Sequence, residues 1–450
     1  MAGYSTLPIL YTSGIMGVKA EESRYDERIR RLICPGPIYT VEVTRLNHFA
    51  ARRTRWLFFA VFLSSMLFSA LYLAWNRGEG LLDFFYQRGT NLFGDFTNNL
   101  HYPTHDGGPY YDSYWATFPP FAYTLYYLVN VCFTRANRSI ELVAYVLVTT
   151  LSAVSMLYAV RRVWETYSSS KNAGIQAFGL SLCLLLSGVS FYTIERGNSV
   201  FNVMILLLFV MYLRVAKEGW KRELALLLIA AAAGIKMYPA LFGLLYLQEK
   251  RYREAGRLLI YGLLFFFVPF AWFGGLDGLR QFLSNQGSVH SLLRNDFLTS
   301  IPSVFRFFAA EMGGNMHVAN AMGNVVGIMF GAVLLCCVFL TRKLWLQSLM
   351  FMSFMALVPG WSAEYMAWYM AVPCVLFLCD ASQSSAVMDG CYAVLFGFIF
   401  ILLPFGTGFS LHAPISWNML ACFAGMYFIS FLAIGDVVST FLRQLPKKRA

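Results

Sequence analysis

The sequence predicts an all-α polytopic membrane protein, and three observations predict it. Hydrophobic residues make up 58% of the 450, above the roughly half found in soluble domains. Charged residues make up 13%, against about a quarter in soluble domains. The apolar residues fall in runs of roughly 12–22 separated by short charged connectors, as in chains that cross a bilayer repeatedly. Mean hydropathy is +0.55. None of the runs alternates as the strands of a transmembrane barrel do.

The first fifty-five residues are mixed in character and carry Arg28, Arg30, Arg31, Arg45, Arg52, Arg53 and Arg55. They are expected to form a cytoplasmic tail (1–55) or a surface-lying segment, with no cleavable signal peptide. The first span is Trp56–Trp75, "WLFFAVFLSSMLFSALYLAW". Its aromatic ends suit the two interfaces, and the arginines before it place the N-terminus inside and 76–118 outside. Later apolar runs lie at 119–134, 139–160, 174–193, 199–213, 223–247, 258–273, 321–340, 344–358, 365–379, 389–403 and 417–441. A transmembrane domain therefore covers 56–441, with a first outer loop at 76–138 and a later one at 274–320. A basic cytoplasmic tail, 442–450, comes after it.

Charge fixes how the runs are threaded. The basic connectors are "RRVWETYSSSK" (161–171), "RVAKEGWKR" (214–222), "KRYREAGR" (250–257), "TRK" (341–343) and the tail "RQLPKKRA". All should face the cytoplasm. If 119–134 crosses fully, the first two connectors fall outside and strand seven basic residues. If "FPPFAYTLYYLVNVCF" dips into the membrane and returns, and 223–247 is two short arms broken near "KMYP", every basic connector falls inside. Pro239 supplies the break, since it removes a backbone donor and pushes the preceding residue out of helical geometry. This threading gives about twelve spans, a membrane-associated first outer loop and both termini inside.

The net charge of +11 is accounted for by these connectors. No basic stripe stands apart, and no nucleic-acid partner is expected. Most of the nine cysteines, including Cys183, Cys336, Cys337, Cys374 and Cys422, lie in apolar runs without metal-binding spacing. They read as packing residues.

The polar, irregular segments gather on the outer face, and the candidates for chemistry lie there. Asp95, in "GDFTNN" after the first span, can act as a general base on a hydroxyl. As a plain structural residue it would cap a helix through the amides of Thr97 or Asn98. Asp83, in "LLDFFYQ", is the reserve, whereas Asp106 and Asp112 read as turn residues. "FPPFAY" (118–123) marks a helix start. "IERGNSVFN" interrupts apolar sequence with Glu195, Arg196 and Asn198. It is either a connector with an internal Glu–Arg pair or a polar lining whose arginine clamps phosphate. Lys236 sits in a run of membrane depth, where an ionisable side chain is costly unless it meets a polar cavity or snorkels.

The remaining candidates carry less. His101 and His105 have the spacing of a metal pair only on a helix, and Pro103 opposes one. His290, Arg294, Asp296, Arg306 and His317 are polar candidates that form no motif, and most of them read as solvated surface. Glu364 and Tyr365, in "GWSAEYMAWY", border a span and face either the cavity or an interfacial aromatic belt.

Taken in order, "GDFTNN", "PYY…FPPFAYTLYYL", "ERGNSVFNVMILLL", "GIKMYPALFGLLYLQEKRYREA" and "PGWSAEYMAWYMAVP" resemble glycosyltransferase family 87 over about residues 56–380. That family holds polyprenol-phosphate-mannose-dependent mannosyltransferases of the GT-C superfamily. Two departures are Phe118, where tyrosine is commoner, and Met237 between Lys236 and Tyr238. Residues 1–55 have no counterpart.

The resemblance implies a GT-C-type multispanning enzyme. It would move a hexose, mannose by family, from a polyprenyl-phosphate donor to a lipid or glycan acceptor on the outer or lumenal face. The base would be Asp95, and Arg196, Asn198, Lys236, Tyr238, Glu364 and Tyr365 would contact substrates among membrane lipids. A single displacement inverts the anomeric centre, and a phosphate leaving group needs no second carboxylate. No cofactor or essential metal is expected. The membrane would be the plasma membrane in a bacterium and the endoplasmic reticulum in a eukaryote. Two other readings stay open from sequence. A transporter or flippase of lipid-linked sugars would share the spans, but predicts inverted repeats that are not seen. An outer-face polysaccharide polymerase or ligase would shift weight to the arginines and histidines of 274–320.

Overall fold

The computed structural model describes residues 41–86, 92–134, 137–168, 170, 172–290, 299–360, 362–379, 385–410 and 414–444. Arg28, Arg30, Arg31, Arg294, Asp296 and the end of the basic tail lie outside the described residues. The chain divides into two units, Met1–Ala50 and Ala51–Ala450.

The second unit is a helical membrane domain. Helix α1 (Val41–Trp75), which belongs to this unit from Ala51 on, leads into an irregular segment containing the short α2 (Gly94–His101). Next come α3 (Pro120–Val129), α4 (Arg138–Tyr167), α5 (Ala173–Leu185), α6 (Gly188–Arg196) and α7 (Val200–Leu213). The middle of the chain forms α8 (Gly219–Ile235), α9 (Gly243–Gln248), α10 (Tyr252–Phe267), α11 (Gly275–His290) and α12 (Ile301–Glu311). The last helices are α13 (Met316–Leu340), α14 (Leu344–Leu357), α15 (Ala371–Cys379), α16 (Ala386–Ile399) and α17 (Trp417–Gln444). One small antiparallel hairpin, β1 (Gly408–Ser410) with β2 (Pro414–Ser416), precedes α17, and no sequence signal points to it.

Among the described residues, five helices are long and apolar enough to cross a membrane, or six with the bent pair α5–α6. Their exposed faces are apolar (Leu67 and Leu71 on α1, Leu147 and Leu151 on α4, Ile328 and Met329 on α13), as a lipid solvent requires. The shorter α7, α14 and α15 are buried nearly all round and form the centre of the core. Helix α13 packs closely through a stripe of small residues. A Cβ on Gly323 would stand 2.7 Å from the Pro302 Cα, and one on Gly331 would stand 2.8 Å from the Phe354 ring.

Three runs are broken, for local reasons. The run 174–193 bends by 60° between α5 and α6. There the Ser187 hydroxyl caps α6 by accepting from the Ser190 amide at 3.2 Å. The run 223–247 breaks where expected. Helix α8 stops at Ile235, Lys236 is extended (φ −140°, ψ 124°), and a 3-10 turn (Tyr238–Phe242) takes Pro239 into its first turn. The run 119–134 is the ten-residue α3, started by Pro119–Pro120, and a π-helical turn over Asn130–Thr134.

Side-chain contacts sort the connectors into two groups. At one end the basic connectors meet. Arg214 pairs with Glu249, Arg251 donates to the Arg214 carbonyl at 3.2 Å, and Arg222 stands 3.5 Å from Glu254. Arg342 donates to the Gln248 carbonyl at 3.3 Å, and Tyr167 to the Met211 carbonyl at 2.8 Å. Arg55 joins them, its guanidinium 5.3 Å from the Trp164 ring centroid. The start of α8 and the end of α9 both lie here, so the two arms of 223–247 begin and end at the same end of the domain. The irregular segments meet at the other end. Asn130 donates to the Leu100 carbonyl at 3.0 Å, and α4 starts beside His101. Run 119–134 therefore begins and finishes among the same segments. The expected loop 274–320 contains two helices, α11 and α12, and α11 holds 110–117 in place. Asn285 Nδ2 donates to the Tyr110, Ser113 and Ala116 carbonyls at 2.9–3.2 Å.

Candidate functional site

Helix α2 brings Asp95 to the "IERGNSVFN" segment. The backbone enters α2 through Phe93, a non-glycine residue at φ 56°, a strained conformation that costs on the order of 1–3 kcal/mol. The Phe93 amide donates to the Glu195 carbonyl at 2.7 Å, which fixes that turn against the end of α6. The two segments can approach because residue 197 is glycine. Gly197 sits at φ +68°, and a Cβ there would stand 2.8 Å from the Phe96 Cβ.

The close approach lets the Asp95 carboxylate take a specific pair of donors. Arg196 Nη2 donates to Oδ1, and Asn198 Nδ2 donates to Oδ2 at 2.7 Å. Asp95 is therefore not a helix cap, since its side chain reaches across 101 residues of sequence and makes no capping bond. Nor do Glu195 and Arg196 pair with each other. The Glu195 Oε2 accepts from the Tyr86 amide at 2.8 Å. Both partners of the Asp95–Arg196 pair are only partly shielded, at 17% and 21% side-chain exposure. A charge-assisted pair of this kind holds the carboxylate in a fixed orientation.

The other sequence candidates lie around this pair. Lys236 Nζ stands 3.8 Å from the centroid of the Phe118 ring, a cation–π contact. It makes no ion pair among the described residues, although it lies within electrostatic reach of Asp95. Tyr365 lies within the same reach and stacks on Tyr192, with ring centroids 6.0 Å apart. Glu364 is buried beside Tyr192 and Tyr365, not at an interfacial belt. Tyr238 joins through the fully buried Tyr369, which lies close to both Tyr238 and Tyr365.

A cavity of about 300 Å³ opens beside the pair, between α3, α4 and the α6–α7 junction. Its wall is mostly apolar, with Leu125, Val129, Val148, Phe201 and Leu206. Asn198 lines it too, so one side chain touches both the cavity and the Asp95 carboxylate. Tyr126, Tyr145, Thr149 and Asn202 add a polar strip.

The structure does not bring every sequence candidate here. Asp83 accepts from the Tyr72 hydroxyl at 2.6 Å, and its carbonyl takes the Gly406 amide at 2.9 Å. It ties α1 to the segment before β1. His101 ends α2, while His105 is exposed beyond a turn through Pro103. No group of three or more His, Cys, Asp or Glu is placed to hold a metal among the described residues. Of the polar residues of 274–320, His317 is exposed, whereas Arg306 is an exception to the solvated surface expected for most of them. It is 1% exposed and donates to Asn320 at 2.6 Å, Ser303 at 2.8 Å and the Gly360 carbonyl at 3.1 Å. Sequence reasoning missed Phe118, Tyr126 and Tyr145 as site residues. In a chain with 41 phenylalanines and 26 tyrosines, no local signal marks them.

A family model, glycosyltransferase family 87, matches residues 116–366, more than half of the chain. The match includes Arg196, Asn198, Lys236, Tyr238, Glu364 and Tyr365 and begins after Asp95, which joins the matched region through its bonds to Arg196 and Asn198. No curated protein and no solved structure matches the chain.

Proposed function

The chain belongs to glycosyltransferase family 87, an integral membrane glycosyltransferase acting on a sugar donor and an acceptor, and from that premise we propose how its site works. The donor is a polyprenyl-phosphate hexose, mannose by family. The acceptor is a lipid or glycan hydroxyl at the outer or lumenal face. The basic end faces the cytoplasm, and the short arms complete a threading of about twelve spans with both termini inside.

The observation that carries this reading is the Asp95 carboxylate, oriented by Arg196 and Asn198 at the edge of an apolar cavity and within reach of Lys236. Asp95 accepts the proton of the acceptor hydroxyl as that oxygen attacks the anomeric carbon. The bond from the anomeric carbon to the phosphate oxygen breaks as the new glycosidic bond forms, so the centre inverts. The phosphate leaves as an anion and is met by Lys236. Arg196 is engaged with Asp95, so we assign it to orienting the base and Lys236 to the phosphate. The apolar cavity suits the first prenyl units of the donor. Glu364, Tyr365 and Tyr238, grouped near Tyr192 and Tyr369, are the remaining substrate contacts of this proposal.

The test is direct. The purified protein is supplied with polyprenyl-phosphate sugars and candidate acceptors, and wild type is compared with Asp95→Asn. Sugar transfer that the substitution nearly abolishes in a folded protein supports the reading. Full activity in Asp95→Asn overturns the base assignment, and transfer only from a nucleotide-sugar donor overturns the donor assignment.

A further inference from the structure

Helix α2 is eight residues long, too short to hold its own shape in isolation. Its position is set by what grips it. Arg196, Asn198 and the Glu195 carbonyl hold the N-terminal end. The C-terminal end is gripped separately. Asn130, in the turn after α3, donates to the Leu100 carbonyl at 3.0 Å, one of the carbonyls that a helix end leaves without an internal partner. One residue on, His101 Nε2 stands 3.1 Å from Glu141 Oε1.

We propose that His101 and Glu141 form a latch that positions the Asp95 helix, acting on the reaction through Asp95 and touching no substrate. This rests on the assignment of Asp95 as the base. Glu141 is 5% exposed in the first turn of α4, and a buried carboxylate is costly unless it is paired. The N-terminus of α4, capped by Asn137, offsets part of that cost through its dipole. That contribution needs no histidine. The imidazole adds a link between two helices that are far apart in sequence, and it can do so as a neutral Nε2–H donor or as an imidazolium. The geometry gives the link leverage. His101 lies six residues beyond Asp95, about 9 Å along the axis at 1.5 Å per residue. A tilt about the gripped N-terminus would turn the carboxylate away from the acceptor, and a misplacement near 1 Å can cost about 100-fold in rate.

The test uses His101→Ala, His101→Gln, Glu141→Ala and the double alanine variant of the full chain. Each alanine substitution is expected to lower kcat about tenfold, with KM for donor and acceptor held within about twofold. His101→Gln should retain most activity, because its amide can donate from the place of Nε2. The double variant should lose no more than either single one. A second readout does not depend on turnover. Leu100 is fully buried, so a thiol probe on Leu100→Cys should label several-fold faster once His101→Ala is added. Unchanged kcat in His101→Ala, additive losses in the double variant, or an unchanged labelling rate would each overturn the latch. Should Glu141→Ala fail to fold, the half-exposed His101 still supports the comparison of its alanine and glutamine variants. A wrong base assignment shows itself differently, as full activity in Asp95→Asn with the labelling response intact.

Discussion

The two ends of the membrane domain both concentrate charge, and they use it in opposite ways. At the basic end cations meet carboxylates. Arg214 pairs with Glu249, Arg251 with Glu249 and Glu254, Arg257 with Glu223, and Lys221 with Glu218. Burial alone would push the Glu249 carboxyl up, but Arg214 and Arg251 outweigh it and hold it below the ordinary carboxylate range. At the other end Asp95 is held by one arginine and one asparagine, and Lys236 rests on an aromatic ring. The first arrangement neutralises charge and staples connectors together. The second leaves an oriented carboxylate and a cation beside a cavity. Charge by itself therefore marks no site here, and the kind of partner each charge has separates support from chemistry.

The largest expected effect breaks the comparison at its sharpest point. Asp95→Asn removes the proposed base yet keeps the size and an acceptor oxygen for Arg196. Transfer should fall by about 10²–10⁴-fold, with melting temperature and elution volume unchanged. Lys236→Gln comes next. It removes the cation from the ring of Phe118, and the rate should fall by about 10²-fold, with the loss in the chemical step. A Lys236→Gln enzyme with wild-type kcat would make this lysine a packing residue.

Substitution at the basic end should reverse the pattern. Glu249→Ala leaves the buried Arg214 guanidinium without its carboxylate. A fully buried pair broken in this way costs about 3–5 kcal/mol. Glu249 has 38% side-chain exposure, so the expected loss is smaller, about 2–3 kcal/mol. Turnover per folded molecule should stay at the wild-type value. The sign of the pH dependence comes from the depressed Glu249 carboxyl. Its contribution is present above the unfolded carboxylate value and fades as pH falls towards the lower folded one. The stability gap between wild type and Glu249→Ala should therefore narrow on acidification below about pH 4.3. A gap that widens would contradict the pairing.

Legibility in the sequence divides the same way. The basic connectors can be grouped by charge alone, because the bilayer makes their side of the membrane a matter of composition. The break at Lys236 and the helix start at Pro120 can be read because proline acts locally. Asp95, Arg196, Asn198 and Lys236 can be singled out one by one, as ionisable or polar residues beside apolar runs. Their pairing cannot. By sequence Arg196 is either a phosphate clamp or the partner of Glu195, and it bonds Asp95 because Gly197 lets α2 lie against it. A contact between residues 95 and 196 depends on tertiary packing, and no local pattern encodes it. Phe118 shows the same limit, since an aromatic residue becomes a cation's seat only when another segment brings the cation.

The smallest expected effect sharpens the comparison within the basic end itself. Glu165 accepts from Arg161 at 2.8 Å and from Arg162 at 2.7 Å, shorter contacts than the 3.5 Å between Arg222 and Glu254. By distance this triad should matter more than the Arg222–Glu254 contact. By exposure it should matter least, since the Arg161 side chain is 63% exposed and Glu165 31%. Exposed pairs on one helix face gain little, because water screens them and two long side chains must be ordered. Glu165→Ala should therefore leave melting temperature and turnover at wild-type values, measured beside Glu249→Ala under the same salt. A clear drop in Glu165→Ala would mean that the number and length of pairs, and not their burial, hold the basic end together. The line between stapled and poised charge would then have to be redrawn.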